Sequence, residues 1–473
     1  MITVAAALAG LAIVTQDQSA LRAAPKDSAQ QQAMLWQGDV LEVRGARMDY
    51  LQVYDHRRER AGYIRASQVR LTDAGADEAP DLLAVLRFVR DTPGSEALGL
   101  AYAAAYLKAV PAPALTAEPF DAIGSMAERL AARASSRQGK ANDATLAGQL
   151  EVVNGYGVRL LSYETSPGQM QLCYDGEAFR RVLAMPGANA EQRARAALAL
   201  SRPDCIDPAI RVTERDARLR WNAELLDRVN LEPLAETLKN RLHMRRAGVW
   251  SAVAFDQARK GEATQAAGER ALQELAAVNK TELTDDDQGE YNDAAMRVSA
   301  SRWAAEPLAT APNAKITVTT QAGAPGETCV SLNDGKSVKP LARRCTFGVV
   351  WAASARPNAA GTALALAVQP LAAWREMWVF RRGEQGEWSV EVLPPAATNP
   401  ELGYVEFAGW TADAEPRLLV AREARAEGRW KRTFEVLKLD TLNTEKFAST
   451  PQILAAFQRW QAADWKQQTV SLR

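Results

Sequence analysis

Residues able to do chemistry are few and scattered along this chain. Its four cysteines fall as two near pairs, Cys173 with Cys205 and Cys329 with Cys345. Outside a reducing compartment an even set of this kind forms disulfides, although four cysteines permit three connectivities and four buried thiols are the alternative. A bond between Cys329 and Cys345 would close a loop of about 15 residues, worth on the order of 3 kcal/mol through the unfolded state. No zinc site is expected, because neither pair has C-x-x-C spacing or a neighbouring histidine. The two histidines, His56 in a charged turn and His243 on a basic helical stretch, have no motif around them. Both are expected at the surface, and neither suggests a Cys-His or Ser-His-Asp centre.

Other apparent motifs dissolve on their spacing. Gly335-Lys336-Ser337 ends like a phosphate loop, but Val330 stands where the first glycine is required, so the stretch reads as a turn. Gly155-Tyr156-Gly157 lacks the third glycine of a dinucleotide fingerprint. Asp285-Asp286-Asp287 with Glu290 misses the calcium-loop spacing and reads as acidic residues at a helix start, where they complement the dipole. Trp351, Trp374, Trp378, Trp388, Trp410 and Trp430 offer either a glycan platform or, more simply, the core of a sheet. No cofactor is expected. A carboxylate pair able to hydrolyse a glycan would have to be assembled by the fold, because no spacing nominates one.

The elements that could position a binding site are clearest between Ile13 and Arg70. Short apolar runs, Met34-Leu35-Trp36, Leu41 to Val43, Leu51 to Val53 and Gly62-Tyr63-Ile64, are punctuated by Gly38-Asp39 and by the polar stretch from Arg58 to Gly62. Apolar and polar residues alternate, which gives strands with one face on a core and one in water. The order of these residues resembles the bacterial SH3 (SH3b) family. Leu21, Arg22 and Pro25 partly match its opening, Leu35, Gly38, Leu41 and Val43 its second element, Tyr50 and Val53 its third, and Gly62, Tyr63 and Ile64 its closing strand. Ala24 stands where the family usually has glycine, and Tyr50 and Tyr63 where tryptophan is common. The resemblance implies a small SH3-like β-barrel used for binding, with Arg22, Tyr50, Tyr54 and Tyr63 as candidate contacts for cell-wall peptide or an envelope protein. The bland reading of these tyrosines is that they close the barrel. Cell-wall peptidases with such modules carry a catalytic cysteine domain, and none follows here.

Composition and the first residues suggest an address. The segment from Met1 to Ala12 resembles the apolar core of a secretory signal without its basic start, and Gly10-Leu11-Ala12 offers a small-x-small cleavage pattern. The alternative is an apolar lead into the first strand. It is too short to span a bilayer, and no other stretch is expected to span one. Lys+Arg and Asp+Glu balance at 57 each, which argues against a nucleic-acid partner.

After an acidic linker, residues 81–306 read as mostly helical: Asp81 as an N-cap followed by Leu82, Val85, Leu86 and Val89 at helical spacing, then Glu96 to Ala109, Asp121 to Ala134, Ala144 to Val153 and Glu191 to Leu200. A hairpin is expected around Ser166-Pro167-Gly168. From 313 to 473 short strands dominate, as a sandwich or a few propeller-like blades, with a last helix between Pro451 and Trp465. The fold class is thus α+β multidomain: a leader at 1–12, an SH3-like barrel at 13–72, a helical domain with a β-hairpin at 81–306, and an antiparallel β domain with a terminal helix at 313–473. The function expected is non-catalytic binding in the periplasm or another exported location, against two alternatives, a glycan-acting hydrolase and a cytoplasmic interaction scaffold.

Overall fold

Alternation along the first seventy residues does produce strands. The computed structural model describes residues 10–136, 144–166, 168–307, 314–397, 401–413, 415–426 and 428–466. The chain divides into two compact units, Met1–Arg211 and Val212–Arg473. It is mixed α+β, with an antiparallel sheet first, helices centrally and a β region last.

In the first unit β1 (Gly10–Val14), β2 (Ser19–Arg22), β3 (Gln31–Leu35), β4 (Val40–Arg47), β5 (Tyr50–Asp55), β6 (Arg60–Arg65) and β7 (Val69–Thr72) form one sheet in the order β3-β2-β6-β5-β4-β1-β7. The expected barrel does not close: the sheet is open, with β3 and β7 at its edges. Its inward side chains, Ala12, Val14, Leu21, Leu35, Leu41, Val43, Leu51, Val53 and Ile64, nevertheless cluster with one another. On the other side of β1, Ile13 packs with Leu82, Val89, Tyr102 and Tyr106 of the helices, which take up apolar surface that a free-standing barrel would leave exposed.

β1 takes up the last residues of the expected leader. Residues 1–9 lie outside the described residues, but Gly10, Leu11 and Ala12 pair with Val43, Glu42 and Leu41 of β4, and Leu11 and Ala12 also pair with β7. The small-x-small pattern is therefore part of the sheet, and a cut after Ala12 would leave two residues of a strand bonded on both sides.

Helices follow as α1 (Ala79–Arg90), α2 (Glu96–Ala109), α3 (Glu118–Ser136) and α4 (Ala144–Gly155), then the hairpin β8 (Leu160–Ser166) and β9 (Gln169–Tyr174), α5 (Glu177–Ala184) and α6 (Ala190–Leu200). α1 starts two residues before the expected Asp81, because Pro80 is accepted in a first turn where no amide donor is needed. Gly38 joins sheet to helices. It has φ +90°, and a Cβ there would lie 2.5 Å from the Ala97 carbonyl oxygen, so only glycine fits this turn.

The second unit begins with α7 (Val212–Asp227), α8 (Glu236–Lys260), α9 (Gln265–Ala276) and α10 (Asp285–Ser301). The helical stretch expected as one domain is thus shared between the two units. The reason is burial: Met296 and Ala300 of α10 pack on Leu402 and Tyr404, and Ala254, Phe255 and Ala267 pack on Val349, Trp351 and Ala367. Ten strands follow. β10 (Thr317–Ala322), β11 (Thr328–Asn333) and β12 (Ala342–Thr346) form a three-stranded sheet. β13 (Val349–Pro357), β14 (Ala363–Leu371), β15 (Trp374–Arg382) and β16 (Trp388–Leu393) form one antiparallel meander. β17 (Leu402–Trp410), β18 (Arg417–Ala426), β19 (Arg429–Lys438) and β20 (Thr444–Ala448) form a second, and α11 (Ala455–Trp460) follows. The two meanders touch through a short parallel pairing, Trp374 with Gly403 and Arg375 with Tyr404. Val330 and Leu332 of the small sheet, with Ile316 just before β10, bury against Leu364, Leu366, Trp378 and Phe380, which makes a sandwich.

Candidate binding face of the N-terminal sheet

The alternation of β5 decides where the candidate side chains go. Leu51 and Val53 enter the core, so Tyr50, Gln52 and Tyr54 point the other way. Register carries this face across the sheet: Tyr50 pairs with Arg65, Gln52 with Tyr63 and Tyr54 with Ala61, and Tyr63 pairs in turn with Arg22 of β2. Arg22, Tyr50, Tyr54 and Tyr63 therefore share the outward face of β2, β6 and β5.

Their settings differ. Tyr50 is 3% exposed; its hydroxyl donates to Asp27 Oδ1 at 2.6 Å, and Arg65 lies over its ring at 5.4 Å. It props the face instead of offering a contact. The Arg65 guanidinium, followed by the Tyr50 hydroxyl, holds the Asp27 carboxyl below its ordinary range, and the same hydrogen bond raises Tyr50. At the other end Arg44 stacks on Tyr54 at 4.1 Å, His56 meets that ring edge-on at 4.9 Å, and Glu42 accepts from both Arg44 and His56. Arg44 first and then His56 lower the Glu42 carboxyl. Between these ends the face is open. Arg22 donates to the Ala29 carbonyl at 3.0 Å, while the Tyr63 hydroxyl and the exposed Gln52 amide have no partner among the described residues. Aromatic surface, an amide and guanidiniums can hold a polar chain by stacking and hydrogen bonds.

Other expectations resolve as follows. The cysteines form two disulfides, Cys173–Cys205 and Cys329–Cys345, which fits an exported protein in an oxidising location. His56 is exposed, as expected, but His243 is not a surface histidine: it bonds Glu274 at 2.6 Å, and Glu274 is itself 5% exposed. A helical stretch rich in basic residues hid this, because the partner lies 31 positions on. Gly335-Lys336-Ser337 is a turn organised by Asp334, which accepts from the Lys336 and Ser337 amides. Asp285 to Asp287 open α10, with Thr284 as the cap. Trp351, Trp374 and Trp378 are core residues, whereas Trp430 is 45% exposed and donates to Asp293. No helix of the described residues is long and apolar enough to cross a membrane.

Two polar clusters escaped the sequence. In the first unit Glu96, fully buried, meets Arg129 at 2.7 Å and Arg133 at 2.9 Å; Arg133 reaches Gln149 at 2.5 Å, and Gln149 and Gln37 both donate to Asp17. In the second, Glu406 lies between Arg302 and Arg375, beside a cavity of about 10 Å³ lined by Trp303, Ser354, Met377 and Phe407. That volume suits one water, not a sugar ring. A lone arginine in the apolar run Trp374-Arg375-Glu376-Met377-Trp378-Val379-Phe380 was the available signal. Among the described residues, potential metal donors group only as Glu327 with Cys329 and Cys345, whose sulfurs are bonded to each other.

No family model, curated protein or solved structure matches the chain.

Proposed function

We propose that this chain is an exported, non-catalytic binding protein of the cell envelope, periplasmic in address. Its N-terminal sheet would act as an SH3b-like module, taking cell-wall peptide or an envelope protein on the outward face of β2, β5 and β6. The observation that carries this reading is the shared face of Arg22, Tyr54 and Tyr63 around the exposed Gln52. The self-contained cluster of inward side chains from Ala12 to Ile64 supports the SH3b likeness despite the open edges. The two disulfides support the exported address.

The test is binding of the oxidised full chain to purified peptidoglycan by co-sedimentation and to soluble stem peptide by calorimetry. Tyr63→Ala and Arg22→Ala are expected to weaken binding at least tenfold, while Phe88→Ala, at an exposed position on α1, leaves it unchanged. Equal binding by all three variants, or none by the parent chain, overturns the reading.

A further inference from the structure

We propose that Glu327, Cys329 and Cys345 form a binding site for a thiophilic divalent cation such as Zn²⁺, closed by the disulfide and opened by a dithiol reductant. The register of β11 on β12 sets Cys329 directly opposite Cys345. The ladder on either side, from Thr328↔Thr346 to Leu332↔Ala342, holds the two residues together whether or not the sulfurs are bonded. Val330 and Leu332 point into the apolar sandwich, so both cysteines occupy the other side of this small sheet. Cys329 is buried and Cys345 half-buried, which leaves Cys345 the more open to attack.

Glu327 supplies the third donor. One of its carboxylate oxygens and both sulfurs lie within 4.8 Å of one another. The β10–β11 turn holds it there: Glu327 Oε2 accepts from the Ala324 amide at 3.0 Å, and the Gly323 amide donates to the Glu327 carbonyl at 2.9 Å. Gly323 makes the room, since a Cβ at that position would stand 2.3 Å from Glu327 Oε2 and 3.1 Å from Cys329 Sγ. Tetrahedral zinc with bonds of about 2.3 Å to sulfur places two thiolates roughly 3.8 Å apart. The Cα atoms of Cys329 and Cys345 stand 3.9 Å apart across the ladder, and rotation about the Cα–Cβ bonds takes two thiolates there to that spacing. Two thiolates and one carboxylate favour Zn²⁺ over Mg²⁺ or Ca²⁺ and leave a fourth position to solvent. Cys173 and Cys205 have no comparable third donor among the described residues.

The opening step balances as thiol–disulfide exchange. A thiolate of the dithiol attacks Cys345 Sγ, the bond between the two cysteines breaks, and its electron pair leaves on Cys329. The second thiol of the reductant loses its proton, attacks the mixed disulfide and releases Cys345 as a thiolate. The reductant departs as a cyclic disulfide, oxidised by two electrons. Zn²⁺ then takes both thiolates and the Glu327 carboxylate, and the thiol protons remain in solvent.

The test uses the full chain, oxidised and after reduction with a phosphine, titrated with Co²⁺ as a spectroscopic probe and competed with Zn²⁺. One Co²⁺ per chain with a thiolate-to-metal charge-transfer band is expected after reduction and none before it. Glu327→Gln is expected to weaken affinity at least tenfold. Alkylation of the reduced chain provides a readout without any variant: Zn²⁺ is expected to protect Cys329 and Cys345 while Cys173 and Cys205 react. Equal Co²⁺ uptake before and after reduction, equal alkylation of all four cysteines in the presence of Zn²⁺, or unchanged affinity in Glu327→Gln overturns the proposal.

Discussion

Arg375 of β15 and Glu406 of β17 form an ion pair beside the point where the two meanders pair, and Arg302 closes on the same carboxylate at 2.9 Å. Arg375 is fully buried and Arg302 and Glu406 nearly so. Two cations thus share one anion, and burial pushes the Arg375 guanidinium below its usual range. Removing the shared anion leaves both cations without compensation in a poor solvent for charge. Glu406→Gln is therefore expected to destabilise the second unit by about 3–5 kcal/mol, read as a lower urea midpoint with an unchanged slope. A loss under 1 kcal/mol would show that the ion triad does not hold the meanders together.

The Cys173–Cys205 bond ties β9 to the turn after α6, across 32 positions. Chain-entropy arithmetic for a loop of that size gives about 4 kcal/mol. Replacing both cysteines by alanine is expected to lower the stability of the first unit by that order, measured by urea unfolding followed through the hairpin. Unchanged stability would mean that the tertiary contacts of the hairpin restrict the unfolded chain already.

Gly148 lies in α4 under the buried indole of Trp36, and a Cβ there would stand 2.2 Å from Trp36 Cε2. Helix propensity alone favours alanine over glycine by about 1 kcal/mol. Steric conflict has the opposite sign, and the rigid indole cannot give way by rotating an end group. Gly148→Ala is expected to destabilise by about 1–3 kcal/mol, with a shift in tryptophan fluorescence. A stabilised variant would place Trp36 elsewhere.

Tyr50 and Tyr63 share a sheet face but not a role. The Tyr50 hydroxyl is bonded to Asp27 and the ring is buried, whereas the Tyr63 hydroxyl has no partner among the described residues. Tyr50→Phe is expected to lower the unfolding midpoint and Tyr63→Phe to leave it unchanged, by thermal or urea unfolding. Equal losses would put the two hydroxyls in equivalent settings.

Asp27 gives a pH dependence of defined sign. Its folded pKa lies below the ordinary 3.8, through Arg65 first and Tyr50 second. The ionised form is favoured by folding, so its contribution is present above pH 3.8 and is lost as pH falls through the lower folded value. Carbon-detected NMR titration should find this carboxyl titrating below 3.8, and Asp27→Asn should flatten the acid limb of stability between those values. A carboxyl titrating at or above 3.8 would break the assigned contact with Arg65.

Local pattern determined much of this protein from the sequence alone. The helix from Glu96 to Ala109 has the bounds that periodicity and turn residues predict, and the helix expected from Glu191 to Leu200 begins one residue earlier, at Ala190. The paired cysteines close as their spacing suggested, because residues near in sequence meet often. Where a glycine acts through a distant neighbour, pattern fails. β12 ends at Thr346 and β13 starts at Val349, because the chain breaks at Phe347-Gly348, where a Cβ on Gly348 would lie 2.9 Å from the Gln369 carbonyl oxygen. β20 carries little signal in the sequence, because Thr444-Glu445-Lys446-Phe447 is an exposed edge with little apolar alternation.

What only the tertiary structure decided are relationships between residues far apart in sequence. Alternation put Arg22, Tyr54 and Tyr63 on outward strand faces, but register brought them onto one surface. Helical periodicity located α8 to α10, but burial against β13 and β17 assigned them to the second unit. Glu406 and Arg302, 104 positions apart, carry no local sign of each other. Period and turn chemistry act over a few residues, whereas charge pairing, register and sheet closure are settled by whichever surfaces the whole chain can bury together.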